Sequence, residues 1–390
     1  MSNCNRCTTV VFCCYYLTMR HTPKVGIVGQ RGMVGSVLFQ RMNDENDFSY
    51  IDATFLSTSQ AGQKVPVVKN VETVYGDAYD LDLLLSKDAI ITTQGSSYTS
   101  KIHPELRRKG WNGFWIDASS ELRYEERSVL VLDPVNRQVI DEAIKSGKKD
   151  LIGANCTVST MLIGLGGLFN HGLVEWANPA TYQAVSGAGA KATIELLRQM
   201  RGLSAKNASL LDNPAASLTA IDKNTSEYLR SEDLPNEVFS GAIAGNVLPW
   251  IDSEVENGRS REEWKAQIET NKILGSNDLV VDGTCVRVGS MRSHAQAITL
   301  KLKENLPLKE IEEIIKSGNP WVDFVPNEKE ATLKRLNPVA VSGTLKVAIG
   351  RVRKLNNGPE YLNVFLVGDQ LLWGAAEPLR RALLIAIEKL

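Results

Sequence analysis

The chain is 390 residues long, enough for two domains with sizeable cores. Its 44 basic residues are matched by 45 acidic ones, so nothing points to a nucleic acid or an anionic membrane as partner. A hydrophobic fraction of 43% is ordinary for a soluble globular protein, and no run approaches the ~20 apolar residues that cross a bilayer.

Of the 6 cysteines, Cys4, Cys7, Cys13 and Cys14 crowd the head, and only Cys156 and Cys285 lie in the body. This is no disulfide framework, and the body reads as a protein of a reducing cytoplasm. The head, residues 1–20, has Arg6 followed by an apolar stretch from Val10 to Leu17. It faintly resembles a signal peptide but lacks a small-residue cleavage site. Cys4 and Cys7 have C-x-x-C spacing with no second ligand pair, so no metal site is expected. The head is expected to be upstream sequence outside the fold, with Met19 as the natural start.

Lys24 to Val28 reads as a short buried strand, followed by Gly29-Gln30-Arg31-Gly32-Met33-Val34-Gly35 and an amphipathic helix from Ser36 to Met42. Strand, glycine-rich turn and helix open a dinucleotide-binding unit, in which the backbone approaches a pyrophosphate at the helix N-terminus. The spacing is G-x-x-G-x-x-G, not G-x-G-x-x-G, and a glycine-rich turn also exists without a ligand. The second strand, Ala53 to Leu56, ends at Ser57-Thr58-Ser59, where NAD-binding units usually carry an acid. A hydroxyl cluster with Arg31 nearby suits the 2′-phosphate of NADP, which a carboxylate would repel.

Alternation continues through a strand at Asp88 to Thr93, a polar loop Gln94 to Ser97, and a helix with Pro104 near its first turn and Gly110 at its end. Strands at Phe114 to Ala118, Val129 to Leu132 and Leu151 to Ile152 complete one parallel, doubly wound sheet. Next comes Gly153-Ala154-Asn155-Cys156-Thr157-Val158. Asn155 is a good N-cap, and a largely apolar segment then runs to Phe169. Cys156 thus opens a buried helix, where free N–H groups and the dipole favour the thiolate, the reactive form. A lone cysteine is more often a small core hydrophobe, and only its company decides.

Ala180 to Val185 reads as a strand, followed by Ser186-Gly187-Ala188-Gly189-Ala190 and a helix from Lys191 to Met200. Residues 201–274 are mostly helical or irregular. Within them Ser260 caps a helix with Glu263 at the third position, and Glu262 and Lys265 share a face, by default a solvated ion pair. Thr284 to Val288 and His294 to Lys303 are strands of a second sheet that Val347 to Leu355 and Leu362 to Val367 complete. His294 is one of only 4 histidines. Such a residue is commonly a structural hydrogen-bonder and only a candidate acid or base. Leu371 to Leu390 reads as one long helix.

Together these stretches resemble aspartate-β-semialdehyde dehydrogenase of the Gram-negative bacterial type, from about Lys24 to Leu390. The resemblance rests on the Gly29–Gly35 turn, Asn155-Cys156-Thr157, Thr181-Tyr182-Gln183, Ser186–Gly189, Ser260–Lys265, Arg287 with His294, and Gly368-Asp369-Gln370. It implies a Rossmann-like NADP-binding domain, residues 24–154 with 376–390. Residues 155–375 would form a mixed α/β catalytic and dimerisation domain, giving a homodimer. The implied reaction is NADPH-dependent reduction of L-aspartyl-4-phosphate to L-aspartate-4-semialdehyde and phosphate, in the biosynthesis of lysine, threonine, methionine and diaminopimelate.

The resemblance also implies roles. Cys156 is the nucleophile, His294 the general acid/base, and Gln183 orients the substrate. Arg287 grips the α-carboxylate as a bidentate fork, and Glu262 pairs with the α-ammonium. Arg123, Lys265 and Asn155 take the phosphate. Residues 29–35, Ser57, Thr58, Ser59, Gln94, Ser186, Gly187, Ala188, Gly189 and Gln370 line the cofactor. Two rivals remain: another phosphorylating semialdehyde dehydrogenase, of the N-acetylglutamyl-phosphate reductase or glyceraldehyde-phosphate dehydrogenase kind, and a non-catalytic NADP-binding sensor.

Overall fold

The structure, a computed structural model, describes residues 22–65 and 73–390; the expectations for the head lie outside the described residues. The chain divides into two compact units. One holds the described residues up to Asp133 with Ile140–Gly153 and Ala376–Leu390, the other Pro134–Val139 with Ala154–Ala375.

In the first unit the strands are β1 (Lys24–Val28), β2 (Asp52–Ser57), β3 (Gly76–Asp77), β4 (Ala89–Thr92), β5 (Phe114–Asp117), β6 (Ser128–Val131) and β7 (Asp150–Gly153). They form one sheet in the order β3-β2-β1-β4-β5-β7-β6, every pairing parallel. Covered on both faces, such strands are apolar runs without alternation, and Ile90, Ile91, Phe114, Ile116, Leu130 and Leu151 are all fully buried. The strand order reverses between β1 and β4, the switch point where open α/β sheets bind ligands beyond the strands' carboxyl ends.

Several elements differ from the sequence reading. The helix after β4 starts early, at Ser96, and runs to Arg108, so Pro104 lies in its interior and not near its first turn. A helix over Asp133–Lys145, broken at Asn136 (φ −130°, ψ 32°), is an addition; its first residues are the piece grouped with the second unit. The final segment is not one helix. A single π-turn, Leu372–Ala376, precedes an α-helix, Glu377–Ile387, with Pro378 in its first turn, where a missing N–H does no harm. That helix packs on the first unit's sheet and is tied down by ions: Arg380 Nε donates to Asp47 Oδ2 at 2.7 Å, and Arg41 and Arg380 both bond the buried Glu377.

The second unit is built on a mixed sheet of β8 (Val174–Gln183), β9 (Val247–Leu248), β10 (Val280–Val281), β11 (Thr284–Val288), β12 (His294–Leu302), β13 (Val322–Phe324), β14 (Val347–Leu355) and β15 (Gly358–Gly368). The order is β13-β14-β15-β12-β8-β11-β9, with β10 also on β8. The helix Cys156–Asn170 packs against this sheet with every residue from Thr157 to Phe169 buried. Such all-round burial explains why its sequence is apolar without an amphipathic stripe. No helix among the described residues is long and apolar enough to cross a membrane.

Candidate active site

Asn155 caps the helix that Cys156 opens: its Oδ1 accepts from the Thr157 and Val158 amides at 2.9 and 3.4 Å. Cys156 Sγ lies 3.3 Å from Nε2 of His294, the first residue of β12. The Ala184 amide, just past the end of β8, donates to His294 Nδ1 at 3.0 Å. With Nδ1 accepting, the neutral ring carries its proton on Nε2, facing the sulfur. Complete burial, with the Arg287 charge adding to it, pushes the imidazole down to about 3, so His294 is neutral near neutral pH. The carbonyl of the same Ala184 accepts from Arg287 Nη1 at 2.9 Å, so one residue's backbone orients both side chains.

A second cluster adjoins this one. Asn155 Nδ2 donates to Glu262 Oε1 at 2.9 Å, and Gln183 Nε2 approaches the same oxygen at 3.4 Å. Lys265 Nζ sits between Glu262 Oε2 at 3.0 Å and Asp252 Oδ2 at 2.7 Å. Burial opposes the lysine's charge, but the two carboxylates outweigh it and hold its pKa above the ordinary value. Ser260 and Glu263 form a reciprocal capping box that fixes the start of this helix, Arg261–Leu274. Glu262 and Lys265 are therefore buried in a cluster and are no solvated surface pair.

The Ser186–Gly189 loop covers these groups: a Cβ on Gly187 would stand 3.1 Å from Arg287 Nη1 and 3.2 Å from His294 Cε1. Gln370 is buried; its amide donates to Ser186 Oγ, and its Oε1 accepts from the Ser293 amide at 2.7 Å, next to His294. Gly374, in the π-turn, meets Cys156 from another side. A Cβ there would lie 2.6 Å from Cys156 Cβ.

In the first unit, β1 is followed by Gly29, whose φ of +84° suits glycine, and the Gly32 amide donates back to its carbonyl at 3.0 Å. The helix Met33–Asp44 starts with no side chain capping it, so its first N–H groups stay open to a ligand. Gly35 is forced: a Cβ there would be 2.1 Å from the Gly29 carbonyl oxygen. Such a tight backbone cradle fits a pyrophosphate. Gln94 Nε2 bonds Thr58 Oγ1 at 3.1 Å, linking the ends of β4 and β2. Ser57 Oγ accepts from the Ser59 and Gln60 amides. Arg123 also belongs to this unit, buried, with Nε on the Gly153 carbonyl at 2.8 Å and Nη2 on that of Ala118 at 3.1 Å.

Sequence reasoning passed over Ala184, Asp252, Glu269 and Gly374. Glu269 Oε2 accepts the Asn155 amide at 2.5 Å, seven residues beyond Glu262. The signal was there: Glu262, Lys265, Ala266, Glu269 and Ile273 make one stripe of the helix, and charges on a core-facing stripe mark a site. Asp77 was also hidden. Pairing of β2 with β3 sets this exposed acid beside Ser57, where the local sequence shows no carboxylate.

Two family models match the chain: the NAD-binding domain of semialdehyde dehydrogenases over residues 24–143 and their dimerisation domain over residues 165–373. The structure resembles aspartate semialdehyde dehydrogenase from Francisella tularensis, 48% identical, covering 93% of this chain and 99% of that one with a TM-score of 0.89. The fold is shared with aspartate semialdehyde dehydrogenase II from Vibrio cholerae complexed with ASA (24% identity, 94% and 98% coverage, TM-score 0.75). It is shared as well with the Candida albicans aspartate semialdehyde dehydrogenase with NADP (17%, 95% and 100%, 0.64). The chain belongs to the semialdehyde dehydrogenase family, among the aspartate semialdehyde dehydrogenases.

Proposed function

We propose that the chain reduces L-aspartyl-4-phosphate to L-aspartate-4-semialdehyde and phosphate, reversibly, with NADPH, through a thioester on Cys156. The observation that carries this reading is the Cys156–His294 contact of 3.3 Å at the start of a buried helix, beside the opposite charges of Arg287 and Glu262. The Cys156 thiolate attacks the acyl carbon, the C–S bond forms, the bond to phosphate breaks and phosphate leaves. The dinucleotide, when bound, supplies the hydride that takes the thioester to the aldehyde level. The tetrahedral alkoxide that results collapses, the C–S bond breaks and sulfur leaves as thiolate, where His294 Nε2–H stabilises it. A full acid/base cycle needs an imidazolium, which burial and Arg287 oppose, so the geometry favours hydrogen-bond donation as the histidine's contribution.

Arg287 is assigned the substrate carboxylate and Glu262 its ammonium, with Gln183 steadying the bound chain. Lys265, Arg123 and Asn155 are assigned the phosphate, although the Asn155 side chain already serves the helix cap and Glu262. Residues 29–35 would hold the pyrophosphate. Ser57, Thr58, Ser59 and Arg31 favour NADP over NAD. The Asp77 carboxylate, whose Oδ1 accepts the Tyr79 amide at 2.8 Å, opposes this choice. Gln94, Ser186–Gly189 and Gln370 would border the cofactor, the last through Ser186. The dimerisation-domain match supports a homodimer.

The test is NADPH formation from L-aspartate-4-semialdehyde and NADP with and without phosphate. N-acetylglutamate semialdehyde and glyceraldehyde 3-phosphate run in parallel. Phosphate-dependent turnover of the aspartate aldehyde alone is expected. Turnover of another aldehyde would overturn the Glu262 and Arg287 assignments, and no turnover with NADP still bound would leave a sensor.

A further inference from the structure

Lys265 poses an electrostatic problem. It is buried, and its ammonium already sits 3.0 Å from Glu262, the carboxylate assigned to the substrate's own ammonium. If Glu262 and Lys265 stood alone, the pair would be neutral. An arriving cation would then add an unbalanced charge to a buried place or strip Lys265 of its only partner, and an unpaired buried charge is strongly unfavourable.

Asp252 removes the difficulty. Its Oδ2 lies 2.7 Å from Lys265 Nζ, nearer than Glu262 does. The residue is held in place by its own loop: it adopts φ +74°, its Oδ1 accepts the Ser253 amide at 2.8 Å, and its carbonyl accepts Trp250 Nε1 at 2.9 Å. Aspartate tolerates the left-handed region, and these bonds within the loop hold it there. Two carboxylates around one ammonium leave one negative charge over, which is what a second ammonium needs. The Asn155 and Gln183 amides bond the Glu262 oxygen that Lys265 does not use, so Glu262 stays oriented when Lys265 shifts towards Asp252.

We propose that Asp252 is a positioning and specificity residue: by holding Lys265 it frees the Glu262 charge for a substrate that carries an ammonium. This rests on the assignment of the substrate ammonium to Glu262. The measurement is discrimination between L-aspartate-4-semialdehyde and succinate semialdehyde, which keeps the aldehyde and carboxylate but lacks the ammonium. It is read as the ratio of kcat/KM, or of inhibition constants where succinate semialdehyde turns over slowly. Asp252→Asn should lower this ratio by about 10- to 100-fold, since any change in phosphate binding through Lys265 is common to both substrates and cancels in the ratio. Asp252→Glu, which restores the charge, should recover it to within about threefold of the natural chain. A structural role would lower both substrates together. An unchanged ratio in Asp252→Asn, or equal loss in Asp252→Asn and Asp252→Glu, overturns the proposal; Asp252→Ser is a second neutral variant should Asp252→Asn not fold. Glu262→Gln separates the two readings. If it leaves the ratio unchanged, the Glu262 assignment itself fails. If it lowers the ratio while Asp252→Asn does not, only the role of Asp252 is lost.

Discussion

Cys156 and His294 are 138 residues apart in the chain and 3.3 Å apart in space, and a single backbone residue between them sets the chemistry of the contact. The Ala184 amide fixes the tautomer of His294, and burial with Arg287 keeps the ring neutral. Donation of a hydrogen bond from Nε2 is thus its natural contribution, and glutamine offers an N–H at similar reach. His294→Gln should retain at least ~10-fold more kcat than His294→Ala, since both lose proton transfer but only alanine loses the donor. Equal loss in the two variants would return the acid/base cycle to first place. Turnover between pH 5 and 8 should show no limb from His294 in the natural chain, because its value near 3 lies outside that range. The side chains of this pair were legible in the sequence by type and company. Ala184 was not, because a backbone amide has no signature, and Asp252 was not, because an acid in an irregular loop looks like any solvated one.

At the scale of elements, short apolar runs and the capping box Ser260/Glu263 were readable because their signals are local. What failed depended on packing. Pro104 is accommodated inside a helix, and β8 begins at Val174, six residues before its expected start, because the sheet pairs it with β10, β11 and β12. The π-turn Leu372–Ala376 likewise has no local marker, yet it is what lets Gly374 reach Cys156. A single wide turn of this kind often lies at a functional site. Gly374→Ala should push Cys156 off its line with His294, since the new Cβ would be 2.6 Å from Cys156 Cβ and 3.0 Å from its Cα. Expected are a fall in kcat of ~10-fold or more, slower alkylation of Cys156 by iodoacetamide, and unchanged nucleotide affinity. Full alkylation rate in a folded variant would show that the turn merely packs there.

At the scale of the whole chain, the two units carry titratable groups of opposite sign. Asp47, in the first, is raised to about 6 by burial in spite of Arg380, whereas His294, in the second, is lowered to about 3. Stability rises with pH wherever the unfolded chain binds more protons than the native one. For His294 that holds between its folded value and the ordinary 6.5, so its unit weakens as pH falls through this window. For Asp47 the native state binds more, between 3.8 and about 6, so this term strengthens the first unit over the same descent. Asp150 and Asp252 are held below 3.8 by their partners and lose their contribution only at lower pH. Near pH 5 the His294 term amounts to about 2 kcal/mol of lost stability. Hydrogen exchange at about pH 7 and pH 5, corrected for intrinsic rates, should therefore show protection in β8 and β12 falling relative to β1 and β4. His294→Gln should abolish most of that divergence and Asp47→Asn the remainder. Parallel loss of protection in both units would mean that they unfold as one body, with the two titrations cancelling in a single transition.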